Sequence, residues 1–190
     1  MEVFEAIEAR RSIRKYKQRP VERGLLEKMI GAARLAAQST NQQPVKYCIV
    51  DDPQKVAEIN KDTKWGMLIY PKAMPALSEL PPAYIIVLID TRIKKEADVD
   101  AGSAVATMLL AAQALGLGTC WLGSISRKQI AQTINMPEHF EVHTAVAVGY
   151  AAESPVYEDA QGPVAYYKDE NGRLHVPKRK LEEILFHNEI

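Results

Sequence analysis

Apolar residues recur at helical spacing in the first third of the chain and in short unbroken runs after it. Phe4 and Ile7 share one face of a short helix predicted from residue 3 to about residue 10. Leu25, Leu26, Met29, Ile30, Ala33 and Ala36 make a stronger stripe and predict a helix over 21–37. The run at 45–50 reads as a strand closed by Asp51-Asp52-Pro53, and Pro53 opens a helix through about residue 60. The run AYIIVLI at 83–89 is a buried strand by its length and β-branched content. A long helix is expected over about 97–115, apolar on nearly every face, as in a core centre or a surface covered by a second subunit. A strand at 119–122, a helix at 127–134 and a strand at 142–150 follow. The last forty residues read as polar and extended, ending in a short helix at about 180–186.

Between these elements, residues 61–82 are different. Pro71, Pro75, Pro81 and Pro82 interrupt Trp65, Met67, Tyr70 and Met74, the pattern of an irregular lid. Long helices around three or four short apolar strands, without regular βαβαβ alternation, predict an α+β or α/β sandwich. No repeat or Gly/Ser linker divides the chain, so one domain over 1–190 is expected.

Composition narrows the function. Lys plus Arg is 24 and Asp plus Glu is 24, so a nucleic-acid partner is not expected. Residues 101–126 carry no charge, but four glycines and Gln113 break the run. It reads as a core helix feeding a strand, with no membrane span. Cys48 and Cys120 sit in apolar runs without CxxC spacing, and the N-terminus lacks a signal-peptide pattern. A cytoplasmic protein with free thiols is therefore expected.

Several motifs fail. Gly116-Leu117-Gly118 with Gly123 is not GxGxxG and lies between helix and strand. No GxxxxGK[ST] is present. His139 and His143 do not fit HExxH, and no metal site is expected.

Four signals survive. Arg10-Arg11-Ser12-Ile13-Arg14-Lys15-Tyr16, at the expected end of the first helix, is either a cationic helix terminus or an anion grip. Gln38-Ser39-Thr40-Asn41-Gln42-Gln43-Pro44 is either a helix stop or an amide-rich wall for a ring with carbonyl and N–H edges. Gly118 to Gly123 is either a tight turn or a close approach to a flat ligand. Lys178-Arg179-Lys180 is a basic patch.

In this order the segments RRSIRKY, STNQQP, GLGTCWLG and PKRKLEEI, with the strand VAVGY, resemble the nitroreductase-like flavoproteins over essentially the whole chain. The resemblance implies an α+β three-layer sandwich, with a mostly antiparallel central sheet flanked by helices. It implies an intertwined homodimer with an extended C-terminal segment and two FMN molecules at the interface. Arg10, Arg11, Ser12 and Arg14 would bind the FMN phosphate, ribityl chain and pyrimidine edge. Gln38, Ser39, Thr40 and Asn41 would reach the same FMN from the second subunit. Leu122 and Gly123 would line the isoalloxazine, and Lys178 or Arg179 would complete the phosphate site. Ala37-Gln38 stands where the family often has Pro-Ser, and Val45 where it often has Trp.

The implied activity is NAD(P)H oxidation with ping-pong transfer, through FMN, to a nitroaromatic, quinone or similar flat small-molecule acceptor. The flavin would carry the chemistry. No catalytic acid or base from the chain is required, and Arg14 would act electrostatically on the reduced ring. Trp65 and Tyr70 would roof the substrate face. The alternatives are an FMN storage or delivery protein without turnover, and other flavin chemistry on the same scaffold.

Overall fold

A computed structural model of the chain describes residues 1–69 and 74–189. Its centre is β2 (Ala83–Asp90), in which every residue is buried. β1 (Val45–Val50) pairs on one side of it and β4 (Phe140–Gly149) on the other, and β3 (Gly118–Leu122) lies beyond β4. All three pairings are antiparallel, in the order β1-β2-β4-β3. The expected strand runs are thus present and form one sheet.

Period-two alternation in β2 feeds two separate cores. Ile85, Val87 and Ile89 pack with Leu26, Met29 and Ala33 of α2 (Arg23–Arg34) and with the apolar stripe of α4 (Asp98–Ala114). Tyr84, Ile86 and Leu88 pack on the opposite face with Val56 and Ile59 of α3 (Pro53–Lys61) and Ile130 of α5 (Arg127–Thr133). The sheet is the middle of three layers, as the resemblance implied.

Local chemistry sets the helix ends. The Asp52 carboxylate accepts the N–H groups of Gln54 and Lys55, and Pro53 occupies the first turn of α3. Ser126 accepts the N–H of Gln129 to start α5. After α4, Gly116 takes φ +78°, the left-handed conformation that stops a helix. Ala101, Ala104, Val105, Met108, Leu109 and Ala112 bury the inner stripe of α4. Its two acids, Asp98 and Asp100, lie in the first turn, and the positions from Ala101 to Ala114 carry no charge. No described helix is long and apolar enough to cross a membrane.

Two expectations need correction. Of residues 10–16 only the first two belong to a helix terminus. Arg10 is the C-cap of α1 (Val3–Ala9) and Arg11 reaches back to its last carbonyls, while Ser12 and Ile13 lie along the outer edge of β3 and Tyr16 bridges Ala151. The Ile13 N–H donates to the Thr119 carbonyl at 2.8 Å, and Ser12 bridges Thr119 in the parallel sense. A dipole argument therefore does not account for Ser12 to Tyr16. The tail, read as merely extended, contains a second sheet. β5 (Val156–Asp159) pairs parallel with β7 (Leu174–Lys178), and β6 (Tyr167–Lys168) pairs antiparallel on the other side of β7. After it, the expected final helix is a single 3-10 turn at Leu181–Glu183.

Candidate cofactor site

The arginine segment and the end of β3 are brought together by the edge pairing of residues 12–13 with Thr119. Their proximity is visible at the Cys120 thiol. Burial pushes that thiol up to about 11, and Arg14, Glu153, Ser12 and Arg10 all act on it. These four side chains therefore surround one point at the edge of β3.

The three arginines have different surroundings. Arg11 is 8% exposed and spends its fork on its own helix. Its Nη2 donates to the Glu8 carbonyl at 2.7 Å and its Nη1 to the carbonyls of Ile7 and Arg10. The guanidinium also lies 4.5 Å from the centre of the Tyr157 ring. Arg11 caps α1, and its fork has little left for a phosphate. Arg14 is the opposite case. Its Nε and Nη1 are buried and meet no hydrogen-bond acceptor. The Tyr166 ring covers one face at 5.3 Å, which fixes the plane without using an N–H. Arg10 is half-buried beside them.

Gly123 lies just past β3 and has no atom within 4 Å of where a Cβ would stand, so a flat ligand could reach its backbone. Leu122 is buried, and its carbonyl accepts the Thr144 hydroxyl. Trp121 is 42% exposed, with its indole N–H on Thr144 Oγ1 at 2.9 Å.

The amide-rich loop lies elsewhere. Ser39–Asn41 is a 3-10 turn whose first N–H donates to the buried Asp100 carboxylate at the start of α4. Thr40, Asn41 and Gln43 all take positive φ, at 49°, 53° and 56°. For a β-branched Thr this is a real departure, and such strain concentrates at functional loops. Gln38 Oε1 is buried without a partner, against a cavity of about 350 Å³ shared with Arg34 and Tyr47. The Tyr47 hydroxyl is also unpartnered, and burial pushes it up to about 12.

The two walls of the expected site thus sit at opposite ends of α4. Ser39 is tied to its first turn, and Ile13 to the strand after its last. Seventeen helical residues separate them, which is about 25 Å at 1.5 Å per residue.

Lys178 ends β7, and Arg179 follows it and pairs with Glu183 at 3.5 Å. Lys178 shares the small sheet with Tyr157. Of the two lid aromatics, Tyr70 lies outside the described residues. Trp65 is fully buried in the core on the α3 side of the sheet. It packs the interior and presents no face to an acceptor. The lid is nevertheless tied to this end of the molecule. The Lys64 N–H donates to the Ser124 carbonyl at 3.1 Å, and the Leu68 N–H donates to the Tyr166 hydroxyl at 3.2 Å.

Glu153, Tyr157 and Tyr166 were missed from sequence. Glu153 accepts the backbone N–H groups of Arg14 and Lys15. Their only sequence signal is an acid and aromatics in an otherwise polar tail. Among the described residues no cluster of His, Cys, Asp and Glu could hold a metal ion. His143 instead meets the Asp98 carboxylate at 3.0 Å.

Comparison with known proteins agrees with this architecture. The model of the nitroreductase family matches residues 7–150. A Methanothermobacter thermautotrophicus protein provisionally named NADH dehydrogenase/NAD(P)H nitroreductase is 30% identical, over 94% of this chain and 88% of its own. FMN reductase [NAD(P)H] of Bacillus subtilis is 26% identical, over 80% of this chain and 67% of its own. A Desulfovibrio desulfuricans protein provisionally named a nitroreductase, solved in complex with FMN, superposes with TM-score 0.71 at 25% identity, covering 100% of this chain and 98% of its own. The three-layer antiparallel sandwich, the arginine segment along β3 and the match over 7–150 make this chain a member of the nitroreductase family.

Proposed function

We propose that this chain is an FMN-dependent oxidoreductase that draws electrons from NADH or NADPH and delivers them to a flat acceptor such as a nitroaromatic or a quinone. The observation that carries the proposal is Arg14. The guanidinium of this half-buried residue has two buried N–H donors that face no acceptor, a cost that its stacking on Tyr166 does not remove because an aromatic face accepts neither N–H in its plane. A flavin edge, with its carbonyl oxygen and ring nitrogen, offers the missing acceptors in the plane of the guanidinium. The open space over Gly123 suits a flat ring, and the FMN complex of the Desulfovibrio relative and the name of the Bacillus relative support the same cofactor.

When bound, FMN supplies two-electron chemistry, accepting hydride from a nicotinamide and reducing the acceptor. The chain's residues do the placing. Arg14 would hold the pyrimidine edge and favour negative charge there. Arg10 and Ser12 would hold the ribityl phosphate, with Lys178 or Arg179 completing its charge. Arg11 would contribute indirectly, by fixing the end of α1. Donor and acceptor using one slot in turn would give ping-pong kinetics.

The second wall would come from a second subunit. Within one chain, residues 38–41 are a helix length from Arg14. Two copies of α4 packed antiparallel would bring Gln38, Ser39, Thr40 and Asn41 of one subunit to Arg14 of the other. The outer surface of α4 after its first turn, which is uncharged, and the exposed Phe4, Ile7 and Phe186 support a homodimer of this kind.

The test is direct. The purified protein should be yellow or take up added FMN, release FMN on denaturation, and bleach on anaerobic addition of NADH or NADPH. A colourless protein that takes up no FMN would overturn the proposal. One that binds FMN but is not bleached by either nicotinamide would reduce it to flavin storage.

A further inference from the structure

We propose that Tyr166 is a positioning residue with two separable duties, its ring orienting Arg14 and its hydroxyl holding the roof over the acceptor. This rests on the reading that Arg14 faces the flavin. After β4 the chain turns back along the arginine segment and grips it three times. The Glu153 carboxylate takes the backbone N–H groups of Arg14 and Lys15, Tyr157 stacks on Arg11, and Tyr166 stacks on Arg14.

The two stacks have different consequences. Arg11 spends both terminal nitrogens of its fork on carbonyls and leaves only Nε unpartnered, so Tyr157 adds to a nearly complete cap. Arg14 has no such partner for Nε or Nη1. An aromatic face holds a guanidinium by its flat side and leaves the in-plane donors available. A carboxylate in the same place would consume them. The nearby Glu153 spends Oε1 on the backbone N–H groups of Arg14 and Lys15 and bonds neither Nε nor Nη1 of the guanidinium. Tyr166 thus restrains Arg14 while preserving its capacity to meet a ring edge.

The hydroxyl has a second role. It accepts the Leu68 N–H at 3.2 Å, in the 3-10 turn Met67–Ile69 of the lid. Met67 and Leu68 are both well exposed, so little packing holds this turn. One side chain therefore joins the residue that would face the flavin to the segment that would cover the acceptor.

Tyr166→Phe keeps the stack and deletes the hydroxyl, and Tyr166→Ala deletes both. Three quantities separate the duties: FMN affinity by fluorescence titration, the flavin midpoint potential, and the acceptor KM for a small quinone. For Tyr166→Phe we expect wild-type potential and FMN affinity with the acceptor KM raised several-fold. For Tyr166→Ala we expect the same rise in KM, a more negative potential, and a roughly threefold to tenfold slower reduction by NADH or NADPH, the scale of one cation–π contact. If Tyr166→Phe shifts the potential as far as Tyr166→Ala, or if Tyr166→Ala matches wild type in all three, the inference is overturned. Failure of the wild-type protein to bind FMN would overturn the functional reading beneath it instead.

Discussion

Gly118 faces Ile13 so closely that a Cβ on the glycine would stand 2.9 Å from Ile13 Cγ1 and 3.1 Å from its Cβ and Cγ2. This contact lets the arginine segment lie flat against β3, where the Ile13 N–H reaches Thr119. Gly118→Ala should push Ile13 outward and carry Ser12 and Arg14 with it. We expect a loss of about 1–3 kcal/mol in denaturant unfolding, the usual cost of overpacking, together with weaker FMN uptake. Adding Ile13→Ala, which removes the Cγ1 and Cγ2 that the new methyl would meet, should recover part of both losses, since the two sites touch. Wild-type stability of Gly118→Ala would show that the segment is not held where we place it.

Thr40 stores strain that Gly would release. A β-branched residue at φ 49° costs about 1–2 kcal/mol. A glycine there gives back about 0.5–1 kcal/mol through the freer unfolded chain. Thr40→Gly should therefore leave stability unchanged or raise it by up to about 1.5 kcal/mol, while FMN affinity falls because the loop is no longer preset. A thermal melt and a flavin titration on the same preparation check the two signs. A fall in stability without loss of affinity would mean that the loop geometry serves the fold alone.

Asp100 fastens that loop to α4. It is fully buried, accepts the Ser39 N–H, and meets the Lys94 ammonium at 2.7 Å. The Lys94 hydrogen bond, with help from Ser39, holds its carboxyl below the usual carboxylate value. A depressed folded pKa stabilises above the unfolded value and is lost as pH falls through the folded one. Asp100→Asn should cost about 1–3 kcal/mol at neutral pH and flatten the acid limb of the stability profile. An unchanged acid limb would place the titrating group elsewhere.

The small tail sheet has its own proton linkage. His175 Nδ1 lies 2.8 Å from Glu158 and Nε2 3.4 Å from Asp169, and the ring stacks on Tyr167 with centroids 5.0 Å apart. Only the imidazolium can donate to both carboxylates. The Glu158 contact, followed by that of Asp169, raises its pKa above 6.5. A raised folded pKa stabilises fully below the unfolded value, and that contribution disappears as pH rises through the folded one. Melts between about pH 6 and about pH 9 should show the decline in wild type and a flatter profile in His175→Gln. Equal slopes in the two proteins would refute the linkage.

What the sequence made legible was local. The run 45–50 could hardly be other than a strand. The run AYIIVLI filled both faces of β2 because every position there is buried. The long uncharged stretch announced α4. The tail sheet was hidden because β5 is a short polar VYED and β7 contains Pro177, and because they pair with each other across a long connection. Arg11 and Arg14 are indistinguishable in a motif. What separates them is whether a helix end lies within reach of the fork, and only the stop of α1 at Ala9 decides that. Tyr166 reaches Arg14 and Leu68 from far along the chain, and such contacts leave no periodic trace.

A site divided between two subunits, as proposed, would make oligomerisation and cofactor binding one equilibrium. Phe4 on α1 is 76% exposed and Ile7 is 47% exposed, and α1 packs beside α4. Burying a Phe contributes about 1.5–3 kcal/mol, and a two-fold interface counts every residue twice. Phe4→Glu should therefore weaken the dimer by at least about a hundredfold. Sedimentation would show the wild-type protein near twice 21.2 kDa and the variant shifting toward the monomer as it is diluted. FMN should be lost over the same concentration range, because a lone subunit keeps Arg14 but not the loop at 38–41 that would face it. Added FMN should in turn draw the variant back toward dimer, since a ligand bound only by the assembled site stabilises the assembly. A monomeric Phe4→Glu protein that holds FMN as tightly as wild type would mean that one chain builds the whole site, and the division across α4 would have to be abandoned.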